Sequence, residues 1–230
     1  MCRLFSILLF TLSATPPANA VCPPIAMATV QVTAELGAVA IQRIPVEQIT
    51  ARVMSAPGNQ QQFGSLVDQR GGKVAGTVVT LPRNAYQVAF TIKDTDSDRC
   101  IRPSSIAYQF SDPHPQLWVA DVFPEGSCIA QATITHEQKH VEVFRAALRH
   151  FALRAEHALN LVAALPAMNV AFGDENASYE AWYARINDAV QPLFADYNTE
   201  VIAANNAIDN PSEYQAMAQV CNGEAARYLR

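Results

Sequence analysis

His136 and His140 stand four residues apart, with Glu137 directly after the first, and their types and spacing could do chemistry. Four residues are slightly more than one helical turn, so on a helix both imidazoles project from one face, about 40° apart. Two neutral imidazoles so placed can bind one Zn2+. Glu137 would lie about 100° around the helix. From there its carboxylate can take a proton from a metal-activated water without becoming a ligand. The run His136-Glu137-Gln138-Lys139-His140 thus offers two ligands and a general base. The plainer reading is a solvated helix face. Against it, the chain holds only 5 histidines in 230 residues. The stretch 141–148 that follows is also apolar and helix-favouring, so the motif opens a core helix. Thr133 and Thr135 just upstream are the expected caps.

A catalytic zinc has three protein ligands and one open position. A histidine ten positions after His136 would complete one known pattern, but Ala146 stands there. His150 is about 15 Å beyond His140 along a straight helix, out of reach of the same metal. His150 and His157 are expected to be exposed or hydrogen-bonded helix residues. His114, in a Pro-flanked turn, is expected at the surface, with accessory ligation as its alternative. A second helix returning antiparallel would regain the level of the metal near residues 200–213. Three carboxylates lie there, ranked Glu213, Asp209, Glu200. Glu213 leads because it opens a new segment after Asn210-Pro211, where a side chain can turn inward. The alternative roles are helix-terminus charges, Asp209 at a cap and Glu213 in a first turn. Glu175 and Glu180 fall at the far end. Tyr214 and Tyr197 are candidate donors to an oxyanion or to a ligand, with core packing as the alternative.

The elements that must position these groups read as strands first and helices after. Strands are expected over 27–36, 73–81, 86–92, 105–110 and 116–122, the last two as a hairpin across Asp112-Pro113-His114-Pro115. Gly71-Gly72 reads as a turn and 59–63 as a polar loop. From about residue 130 the period becomes helical. One helix is expected from about 131 to Leu165, stopped by Pro166. A second, from Ser178 to about Ala207, carries Trp182, Ile186, Val190, Leu193, Tyr197 and Val201 at three-to-four spacing, with Pro192 expected to kink it. A short helix from Ser212 to about Val220 follows. The predicted fold class is α+β: a small, mostly antiparallel sheet in 21–130, then a helical half in 131–230 with two long antiparallel helices, forming a single domain.

The first 20 residues read as a secretory signal peptide: Arg3, an apolar run from Leu4 to Leu12, and the small-x-small site Ala18-Asn19-Ala20. Export to the periplasm or the extracellular space is therefore expected. No later run approaches the roughly 20 apolar residues of a membrane span. Past the signal, Cys22, Cys100, Cys128 and Cys221 remain, an even number that suggests two disulfides. The preferred pairing is Cys100–Cys128, closing a local loop, and Cys22–Cys221, tying the ends together. A net charge of -5 without a basic run argues against nucleic acid as a partner.

With its His-Glu-x-x-His helix and a carboxylate on a returning helix, the chain resembles the zincin metallopeptidases, gluzincin branch. It is more closely similar to a family of secreted bacterial proteins of unknown function placed in that clan. These have a signal peptide, a small β-rich half, the motif helix and a C-terminal segment around a Tyr-Asp pair. Residues 205–214 match that last segment loosely, and the histidine the family carries shortly after the Asp is missing here. The resemblance spans roughly residues 26–220. It implies a zincin-like domain, a zinc cofactor and a peptide or protein substrate. The expectation is an exported zinc-dependent hydrolase, a metallopeptidase. The alternative is a periplasmic binding or structural protein with a vestigial or purely structural metal site.

Overall fold

The structure, a computed structural model, describes residues 22–55 and 73–229. The expected signal peptide, the polar loop 59–63 and the Gly71-Gly72 turn lie outside the described residues.

In chain order come β1 (Thr29–Leu36), β2 (Ala40–Ile44), α1 (Val46–Ser55), β3 (Gly76–Val79), β4 (Arg83–Asp94), β5 (Asp98–Asp112) and β6 (Gln116–Ala120). Then follow α2 (Cys128–Ala163), β7 (Met168–Ala171), α3 (Glu175–Ile208), α4 (Pro211–Gly223) and α5 (Ala225–Tyr228). The α+β class and the two long helices agree with the sequence. The strands form two mixed sheets rather than one, and three of the five strand pairings among the described residues are antiparallel. In the first, β5 is flanked by β4 on one side and by β1 and β7 on the other; β1 is parallel to it, β4 and β7 antiparallel. In the second, β6 lies between parallel β2 and antiparallel β3. The expected hairpin between 105–110 and 116–122 does not form, because its two strands belong to different sheets. Four described elements have no counterpart among the expected ones: β2, α1, the short α5, and β7, a strand of four residues from the helical half that completes the first sheet.

Two apolar clusters hold the molecule. The larger packs β5 (Ile106, Tyr108, Phe110) against the C-terminal half of α2 (Leu148, Phe151, Leu159) and the inner face of α3 (Trp182, Ile186, Val190). The smaller joins α1 (Val46, Ile49), β6 (Leu117, Val119), Phe123 and the start of α2 (Ile129, Ala130). The long helix α2 therefore bridges both, and His136–His140 lies on it between them. Helix α3 runs through Pro192 as one element. Its direction is antiparallel to α2: His150 pairs with Glu200, and the motif histidines pair with residues 205 and 209.

The disulfides are Cys22–Cys100 and Cys128–Cys221, which corrects the expected pairing Cys100–Cys128 and Cys22–Cys221. The reason lies in the strands. Residues 100–112 are extended, about 40 Å of strand rather than a compact loop, so β5 carries the chain away from Cys100. Meanwhile the parallel register of Thr29 with Ser105 brings Cys22, just before β1, beside Cys100 near the start of β5. Among the described residues no helix is long and apolar enough to cross a membrane. Two disulfides fit an oxidising compartment.

Candidate metal centre

Gly126, with φ 69°, turns the chain into α2, and Ser127 caps it by accepting from the Ala130 amide. The helix thus begins earlier than expected. Thr133 and Thr135 are not caps; each hydroxyl donates to the carbonyl four residues back. His136 and His140 are 7% exposed and Glu137 6%, so all three motif residues point inward. A solvated face is excluded.

At the other side of the site α3 ends at Asp209, its C-cap. Asn210 then caps α4 by accepting from the Glu213 amide, with Pro211 in the first turn. This Asn-Pro break aims Asp209 at α2. Asp209 Oδ1 is 3.1 Å from His136 Nε2 and 3.3 Å from His140 Nε2, and the two Nε2 atoms are 3.3 Å apart. Ligand atoms about 2.0–2.1 Å from a tetrahedral Zn2+ stand about 3.3 Å from one another. The three donors therefore already form one face of such a tetrahedron. Residues His136, His140 and Asp209 could hold a metal ion.

Electrostatics favour a cation there. Asp209 is a carboxylate at the negative end of the α3 dipole, where a positive charge is favourable. Burial alone would raise its carboxyl, yet hydrogen bonds from His136 and His140 outweigh it and hold Asp209 at about 2. The histidines respond in kind. Burial opposes their charge, but the hydrogen bond to Asp209 and the field of Glu137 push His140 up to about 9 and raise His136. Without metal, His140 holds a proton near neutral pH that a metal would replace. Glu137 makes no hydrogen bond to this triangle. Burial pushes its carboxyl up to about 7, against the lowering field of the two histidines. It lies under β3, where a Cβ built on Gly76 would come within 2.7 Å of Thr133 Cγ2 and 2.9 Å of Glu137 Oε1. The glycine makes room for the carboxyl.

Of the three ranked carboxylates, Asp209 rather than the first-ranked Glu213 faces the two Nε2 atoms. Glu213 sits one turn further on, in the first turn of α4, and faces the other nitrogen of His136, Nδ1, at 3.4 Å. Lys139 also donates to the same carboxylate oxygen and, with His136, holds Glu213 below its ordinary value. Glu200 is not at the centre; it pairs with His150 and Arg154, further along α2. Tyr197 is core, its ring edge-on to Phe110 and Phe151, and burial pushes its phenol up to about 12. Tyr214 does reach the site, 6.5 Å from His136 between ring centres. His114 and His157 are exposed. Asn205 went unrecognised by sequence reasoning. Its Oδ1 lies 2.9 Å from His140 Nδ1. The signal that could have found it is its four-residue spacing from Asp209, the same spacing as the two histidines.

The class of site is thus a buried His-His-Asp group with an adjacent glutamate whose carboxyl is pushed up to about 7. Comparisons with protein-family models, with curated proteins and with solved structures return no match for the chain.

Proposed function

We propose that this protein is an exported zinc-dependent hydrolase that cleaves peptide bonds, built on a zincin-like plan with Asp209 as its carboxylate ligand. The observation that carries the proposal is the triangle of two Nε2 atoms and one Oδ1, with edges of 3.1–3.3 Å. Two imidazoles and a carboxylate form a ligand set typical of catalytic zinc, which leaves a position open. Bound there, Zn2+ supplies Lewis acidity that polarises a carbonyl and acidifies a water.

The chain's own residues supply the rest. Glu137 is buried beside the centre with a carboxyl at about 7, which suits a group that takes and returns a proton near neutral pH. Tyr214 forms part of the wall near His136. Strand β3 is an edge of its sheet among the described residues, and it passes directly over Glu137. An extended peptide pairing with such an edge would run past the base, which supports a peptide as substrate. The two disulfides support export.

A binding or structural protein with the same cluster would hold zinc and hydrolyse nothing. Metal analysis of the purified chain, together with mass spectrometry of a broad peptide mixture, separates the two. One bound zinc per chain and chelator-sensitive cleavage are expected. His136→Ala and Asp209→Ala should each lose both. Zinc binding without cleavage would leave the structural reading; metal retained in Asp209→Ala would remove Asp209 as a ligand.

A further inference from the structure

Each imidazole faces the triangle with Nε2 and turns its other nitrogen to a different partner. His140 Nδ1 is 2.9 Å from Asn205 Oδ1, whereas His136 Nδ1 is 3.4 Å from Glu213 Oε1. The second contact is longer, and its acceptor oxygen is also taken by Lys139. Asn205 and Asp209 are four residues apart near the end of α3, so one turn presents both toward α2. There they meet His136 and His140, which have the same spacing on the opposing helix.

We propose that Asn205 is a positioning residue of the metal centre: its amide oxygen accepts the Nδ1 hydrogen of His140 and so leaves the Nε2 lone pair aimed at the point that His136 and Asp209 also face. The inference rests on the metal-centre reading above. A neutral imidazole carries one hydrogen, and only with that hydrogen on Nδ1 can Nε2 bind a metal. An acceptor at hydrogen-bond distance selects this tautomer and fixes the ring about χ2. A neutral amide in this place has a further consequence. Asp209, Glu137 and Glu213 already supply acidic groups around the two histidines. A fourth carboxylate would make His140 a stronger donor and hold the metal more tightly, at the expense of its Lewis acidity. Asparagine orients the ring without adding that charge.

The test is titration of the chelator-stripped full chain with Zn2+ against a competing chelator, for wild type, Asn205→Ala and Asn205→Asp, each checked for fold by far-UV circular dichroism. Asn205→Ala should weaken zinc binding by about 10–100-fold with its helix content unchanged. Asn205→Asp, which keeps the acceptor, should restore wild-type affinity or exceed it. A second readout needs no variant: a long-range 15N–1H spectrum of the zinc-loaded wild type should show His140 with hydrogen on Nδ1 and metal on Nε2. Metal on Nδ1 of His140 overturns the proposal, as does wild-type affinity in Asn205→Ala. So does failure of Asn205→Asp to restore binding, which would leave Asn205 a packing role. In all three cases the wild type still takes up zinc. If it takes up none, the metal-centre reading has failed and this inference falls with it.

Discussion

Glu137 stands outside the His136-His140-Asp209 triangle, and its environment supports the proposed role in proton transfer. The carboxyl is enclosed by α2 and β3, and burial pushes it to about 7 while the histidines draw it down. Glu137→Gln keeps the shape and removes the basicity. We expect hydrolysis to fall by about 10²–10⁴-fold while zinc stoichiometry stays at the wild-type level. Parallel metal analysis and rate measurement check this, and an active Glu137→Gln would rule out the mechanism. Gly76 offers a test from the opposite side. A methyl there would press on Thr133 Cγ2 and on Glu137, and Thr133, β-branched on a helix, has little room to yield. Gly76→Ala should therefore displace the base and leave the ligands in place. A misplacement of about 1 Å can cost about 100-fold in rate, so a slowed enzyme with unaltered zinc affinity is the expected result. Unchanged turnover would show that the carboxyl tolerates the shift.

Helix α4 is held to the site without a fully buried residue of its own. Its first turn is attached through Glu213 to Lys139 and His136. Its last turn is attached by Cys221 to Cys128, at the start of the motif helix. Beyond it, Tyr228 stacks edge-on against Phe123 in the smaller core. The disulfide closes a separation of 93 residues, and in the chain-entropy account such a cross-link contributes about 4–5 kcal/mol through the unfolded state. Cys22–Cys100 closes 78 residues and should contribute a similar amount, but it ties β5 to the chain entry, away from the motif helix. The two bonds can therefore be told apart. Replacing both cysteines of either bond by serine should lower the melting temperature. Only the Cys128→Ser/Cys221→Ser chain should also lose zinc affinity, because only there is the helix bearing Glu213 and Tyr214 released. Equal zinc affinity in the two double variants would show that α4 keeps its place without the disulfide.

At the scale of the whole molecule, a metal bound as proposed would compete with protons for one cluster, and the protons by themselves make stability depend on pH. In the metal-free chain His140 is raised from 6.5 to about 9. Its contribution is fully present below about pH 6.5 and lost as pH rises through about 9. Glu137, raised from 4.5 to about 7, acts in the same direction: its neutral form suits the fold, and stability falls as it ionises. Asp209, lowered from 3.8 to about 2, contributes above about pH 3.8 and loses that contribution only as pH falls through about 2. From pH 5 to 9 the metal-free protein should thus lose stability. Zinc affinity should rise over the same range, because the imidazoles must shed protons to bind. The difference in melting temperature between zinc-loaded and metal-free protein should accordingly widen with pH. Calorimetry at several pH values checks this, and a constant difference would mean that binding displaces no protons from the cluster.

The sequence by itself determined the local features. The spacing of His136, Glu137 and His140 put two imidazoles and a carboxylate on one helix. The apolar period made α2 and α3 long, and an antiparallel return of the second helix placed the search for a third ligand in residues 200–213. These are short-range properties, set by helical geometry and burial of one face. Other outcomes depended on how distant segments meet. Which carboxylate faces both imidazoles was decided by the Asn210-Pro211 break, which aims Asp209 rather than Glu213 at the Nε2 atoms. The disulfide pairing was decided by parallel β1–β5 pairing, a long-range register that leaves no mark in local periodicity. The same holds for the division of the strands into two sheets and for the strand β7 contributed by the helical half. A strand's alternation tells which face is buried, and only the tertiary structure tells against which partner.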